Sequence, residues 1–99
     1  MEMEFYRLIV TVLGGTKKGI EIMTGAKIFK DEKNNLIISN IKASKKIKNI
    51  YVTYNEPLDL IDITYMNSNG AVIKTVKEIF IDQVKENIEF ETGICFSLH

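Results

Sequence analysis

Apolar and polar residues alternate along most of the chain, and period two is the pattern of a half-buried strand. Tyr6, Leu8, Val10 and Val12 share one face of the first segment. Phe5, Ile9 and Leu13 line the other, interrupted by Arg7 and Thr11. A strand apolar on both faces belongs at the centre of a sheet or between two layers. Leu13-Gly14-Gly15-Thr16-Lys17-Lys18-Gly19 reads as a turn, and Gly19 to Lys30 as a second strand. Gly25 in its middle marks a bulge or sharp bend.

Asp31-Glu32-Lys33-Asn34-Asn35 is a polar hairpin loop, because Asn tolerates the left-handed conformation that such turns use. Leu36 to Ile41 is the returning strand, Lys42 to Lys48 a basic connection, and Ile50, Val52 and Tyr54 alternate again. Asn55-Glu56-Pro57 breaks the pattern. Ile61, Ile63 and Tyr65 then share a face, closed by Asn67-Ser68-Asn69-Gly70, a strong hairpin signal. A strand over 71–77 follows. The last segment places Ile88, Phe90, Ile94, Phe96 and Leu98 opposite Glu89, Glu91, Cys95 and Ser97, and reads as a strand too.

One stretch supports two readings. Apolar residues at 73, 76, 80, 84 and 88 fit a helical face, whereas the triplet Ile79-Phe80-Ile81 is rich in strand formers. Residues 78–87 are therefore open between strand and short helix. About seven antiparallel strands predict a mostly β fold, a small sandwich or barrel. A helix within 78–88 makes it α+β instead. The strand-helix alternation of a nucleotide-binding parallel sheet is missing. With no repeat, low-complexity tract or linker, residues 1–99 read as one domain.

Composition adds a charge pattern. The 99 residues carry 13 basic and 13 acidic side chains, so no global field selects nucleic acid or a membrane. The distribution is uneven, however. Lys17 to Lys48 holds nine lysines against three acids, a net of +6, and Glu56 to Glu91 holds eight acids against three lysines, a net of −5. The single cysteine excludes an internal disulfide and suits a reducing compartment. The first apolar run follows Glu2, Glu4 and Arg7, the wrong polarity for a secretory signal. No stretch approaches the ~20 apolar residues of a membrane helix. These features point to a soluble protein of the cytoplasm, away from membranes.

Catalytic constellations are scarce. On a straight strand Cys95 and His99 would stand ~13 Å apart at ~3.3 Å per residue, too far for a nucleophile and its base. One Cys and one His cannot make a tetrahedral zinc set. Glu89 with Glu91, and Asp59 with Asp62, lack the interleaved spacing of a hard-cation loop. The glycine run 14–19 resembles a phosphate loop, but Gly19 is followed by Ile20 and a β pattern rather than by Lys, Ser/Thr and a helix. No catalytic residue, metal site or cofactor is assigned.

The remaining feature is Lys42, Lys45, Lys46 and Lys48, followed by Tyr51. Lysines neutralise phosphates, and an exposed aromatic can stack a base. The sequence accordingly supports a non-catalytic binding or interaction module, regulatory, inhibitory or part of an assembly. Its partner would be a second copy or another protein. The alternative is a small β-barrel that binds single-stranded nucleic acid through those five residues. A small-molecule-binding protein or a carboxylate-dependent enzyme comes after both.

Overall fold

A computed structural model describes residues 5–96. Two helices, α1 (Phe5–Leu13) and α2 (Lys17–Thr24), lead into five strands: β1 (Lys27–Lys30), β2 (Leu36–Ser39), β3 (Asn49–Asn55), β4 (Leu60–Met66) and β5 (Val72–Ile79). A 3-10 turn at Ile81–Gln83 then opens α3 (Val84–Thr92). The architecture is α+β, with three helices and fewer strands than the alternation predicts.

The strands form one antiparallel sheet in the order β1-β2-β3-β4-β5, so β1 and β5 lie at opposite edges. This is an open meander, not a closed barrel or a sandwich. Its register fixes the two faces. Ile28 pairs with Ile38, Ile38 with Ile50 and Ile50 with Tyr65, while Leu36 pairs with Val52 and Val52 with Ile63. All seven of these side chains are buried on the face that the helices cover. There α1 lies over β2 and against α3, and α2 packs on β1. From the strands, the buried Tyr65 hydroxyl donates to Asn87 Oδ1 on α3 at 2.5 Å, and Lys74 pairs with Glu91 of α3 at 2.6 Å.

The first predicted strand is a helix. Ile9, Val10 and Leu13 are buried, and Phe5 and Tyr6 pack against the same core. Arg7 and Thr11, four residues apart, are exposed together on the opposite side. A segment apolar on both faces of a strand can equally be one broad helical stripe with a polar back. The second predicted strand, 19–30, divides: 19–24 belong to α2, and only Lys27–Lys30 form a strand, β1. Thr16 caps α2, its hydroxyl accepting from the Gly19 amide at 3.0 Å, and Gly25 ends it with φ 74°. Gly25 is thus a left-handed C-cap, not a strand bulge.

At the other end, 84–87, open between strand and helix in the sequence, and 88–92, predicted as alternating strand, form one helix, which Gly93 at φ 81° ends. The short helix considered for 78–88 does occur, displaced towards the C-terminus. Ile88, Ile94 and Phe96 are buried, but Phe90 is 83% exposed on the outer side of α3.

Both hairpin loops are as the sequence predicts. Asp31 Oδ1 accepts from the amides of Lys33 and Asn35, with Asn34 at φ 64°. Asn67 Oδ1 accepts from the amides of Asn69 and Ala71, with Gly70 at φ 84°.

Candidate functional site

Because every helix lies on one side, no described element covers the other face of the sheet. One row runs straight across it: Phe29 pairs with Ile37, Ile37 with Tyr51, Tyr51 with Thr64, and Thr64 with Thr75. Phe29 is 49% exposed and Tyr51 39%. Met66, paired with the exposed Val72, extends the apolar surface beside this row. The rest of the face is mainly Asn, Thr and Ser, with Asp62 on β4 and Lys27 and Lys77 on the edge strands. An apolar and aromatic centre depleted in charge is the composition of a protein interface core.

The edges are less inviting. Asp62 of β4 faces a bulge in β5, where Glu78 takes φ 60° and its amide donates to Asp62 Oδ1 at 2.9 Å. A second irregularity leaves Ile73 out of register between Val72 and Lys74. Bulges and lysines on an edge strand obstruct pairing with another chain.

The five residues singled out in the sequence do not form one site. Tyr51 lies on the open face, while the lysines lie in the connection between β2 and β3 at one end of the sheet. Lys48 turns inward, its ammonium donating to the carbonyls of Ser44 at 2.7 Å and Ile41 at 3.3 Å. Lys42, Lys45 and Lys46 are exposed. Lys42 runs past Gly25, its Cδ 3.8 Å from where a β-carbon there would sit, and the Ala43 carbonyl passes Gly93 at a similar 3.9 Å. The loop therefore sits beneath the C-termini of α2 and α3. Lysine charge there complements the partial negative charge of helix ends.

At the opposite end of the sheet is a cleft of about 450 Å³, between the start of α1, the β3–β4 turn and the segment after β5. Alternation brings Tyr54 and Ile61 together on the helix side. Phe5 stacks on Tyr54 with ring centroids 5.3 Å apart and planes 28° from parallel. Across from this pair stands Phe80, 64% exposed. Pro57 helps close a 3-10 turn at Glu56–Leu58, after which Asp59 takes a left-handed φ of 55°. Asp59 Oδ1 there accepts the Tyr54 hydroxyl at 2.5 Å. That hydrogen bond, with burial and the acids Asp59 and Glu56, raises the Tyr54 pKa above the ordinary tyrosine value. Nothing in the sequence joins Phe5 to Phe80; only the fold does.

The other candidates separate into structural roles. Glu89 accepts from the Phe96 amide at 3.1 Å, whereas Glu91 faces Lys74. Asp59 accepts from Tyr54 at the β3–β4 turn, and Asp62 from the Glu78 amide at the bulge in β5. Cys95 is exposed, and His99 lies outside the described residues. A helix begins within the glycine run, at Lys17, contrary to the β reading, but the Gly19 amide is taken by Thr16. Among the described residues no group of three His, Cys, Asp or Glu could hold a metal ion, and no helix is long and apolar enough to cross a membrane.

No family model, curated protein or solved structure matches this chain.

Proposed function

We propose that this protein is a non-catalytic interaction module that associates with a second copy of itself through the uncovered sheet face. The observation that carries this reading is the row Phe29, Ile37 and Tyr51, exposed or half-buried and running from the edge strand β1 to the central β3 on a face that no described element covers. Sheets pack face to face about 10 Å apart, with alternate side chains interdigitating. The charge-poor centre favours a protein surface over a phosphate backbone. A nucleic-acid ligand would have to draw its counter-charge from a loop at the sheet's end, where Lys48 is already engaged.

The meander also says how two copies would face each other. Strand order equals sequence order, so the basic stretch occupies α2, β1, β2 and the following loop, while the acidic stretch occupies β4, β5 and α3. A two-fold axis along the strands places the basic side of one copy over the acidic side of the other. An axis across the strands would place like over like. Over the whole molecule the first arrangement brings opposite net charges to the same side. On the open face itself, however, the charges are Lys27, Asp62 and Lys77, and Asp82, Glu86, Glu89 and Glu91 lie behind the sheet, so the apolar row and not charge carries the contact.

Sedimentation equilibrium tests the reading. The wild-type chain is expected to be dimeric at tens of micromolar, and Tyr51→Glu to be monomeric with unchanged circular dichroism. A wild-type protein that stays monomeric up to about 1 mM, an affinity weaker than ~4 kcal/mol, would end it.

A further inference from the structure

We propose that the cleft between α1, the β3–β4 turn and the segment after β5 is a binding site for a small amphipathic cation, an organic ammonium with an aromatic or aliphatic body. Its volume of about 450 Å³ lies within the usual range for small-ligand sites. The chemistry of the lining sets the ligand class. Of the eight described residues that line it, five are Phe, Leu or Ile, two are Asp, and none is Lys, Arg or His. The remaining one, Tyr54, gives its single hydroxyl proton to Asp59. No lining side chain among the described residues therefore has a donor to spare.

The site instead offers acceptors and ring faces. The Tyr54 oxygen keeps lone pairs, Asp59 keeps its second carboxylate oxygen, and Asp82 adds another carboxylate. Phe5, Tyr54 and Phe80 supply aromatic faces, which attract a cation through their quadrupoles. A carboxylate or phosphate ligand meets two negative charges and no donor. A neutral apolar ligand fills the cleft without using either acid. A cation with an apolar body satisfies both parts of the lining.

Three probes of matched shape decide the matter: 2-phenylethylammonium, 2-phenylethanol and 3-phenylpropanoate, titrated into the ¹⁵N-labelled full chain and followed by amide shifts. The ammonium is expected to give saturable shifts at Tyr54, Asp59, Phe80 and Asp82, with affinity at least about tenfold above the alcohol, and the carboxylate no shifts. The double variant Asp59→Asn, Asp82→Asn is expected to lose that preference and bind ammonium and alcohol alike. Asn also tolerates the positive φ of position 59, and a superimposable spectrum outside the cleft confirms that the variant folds. Equal binding of ammonium and alcohol by the wild type overturns the proposal. So do shifts spread away from the cleft, or a double variant with undiminished preference. The cleft lies on the helix side of the sheet, so the same titration on Tyr51→Glu separates this outcome from that of the proposed dimer.

Discussion

Tyr65 is the largest fully buried side chain, and it carries a titratable group into the core. Burial first, and then the Glu91 charge, push its pKa well above the ordinary tyrosine value of 10.0. As pH rises past about 10, the unfolded chain releases this proton while the folded chain keeps it, so stability falls. Tyr65→Phe removes the hydrogen bond to Asn87 and is expected to cost about 1 kcal/mol at neutral pH. That deficit should narrow as pH rises above about 10, because only the wild type pays for ionisation on unfolding. Urea titrations of both proteins between pH 7 and 11 measure the difference. At Glu78 the sign is reversed. A glutamate at φ 60° carries left-handed strain that glycine lacks, so Glu78→Gly is expected to raise stability by roughly 0.5–1 kcal/mol in the same assay.

At the scale of elements, the capping of α2 makes a direct claim. Thr16 satisfies the Gly19 amide at the helix start, and Thr16→Ala is expected to lower stability by ~1 kcal/mol in thermal or urea unfolding. The same cap shows where the sequence was legible and where it was not. Asp31, Asn34, Asn67 and Gly70 act through their immediate neighbours, so their loops can be read from short windows. Ile61, Ile63 and Tyr65 alternate cleanly because one face of β4 is wholly covered. The helices were obscured for definite reasons. In 5–13 so many positions are apolar that period two and period 3.6 both fit. Arg7 and Thr11, four apart, were the discriminating pair. In α2 the interior Gly19 weakens the helical pattern, and Thr16 with Gly25 bracket it as cap and stop. In 84–92 the helical spacing of 80, 84 and 88 competes with the alternation of Ile88 and Phe90 with Glu89 and Glu91, and Gly93 is the helix stop. Of the candidate site residues, Tyr51 is on an exposed face. The lysines' surroundings depend on helix ends that are distant in sequence, which no short window contains.

For the whole molecule, net charge is zero, yet the meander turns a sequence asymmetry into a spatial one. Across a face-to-face dimer the two sheets lie about 10 Å apart, about one Debye length at 0.1 M salt, and the charges of α2, α3 and the end loops lie farther away still. The dimer should therefore loosen as salt rises from 0.05 to about 0.5 M, without dissociating fully, because the apolar row at Phe29 and Tyr51 is indifferent to screening. Sedimentation at several ionic strengths separates the two contributions: salt-insensitive association would remove the charge-pairing arrangement and leave the apolar one.

The contact between α1 and α3 has a consequence for synthesis. Each strand finds its partner among residues made just before it, so the sheet can assemble hairpin by hairpin as the chain emerges. The helix that opens the described chain cannot finish so early. α1 ends at Leu13, but the helix it clasps ends at Thr92, an interval of about 4–16 s at ordinary translation rates. Until then the apolar side of the growing sheet lacks part of its cover, and the nascent protein is most vulnerable to aggregation in the interval just before its last helix arrives.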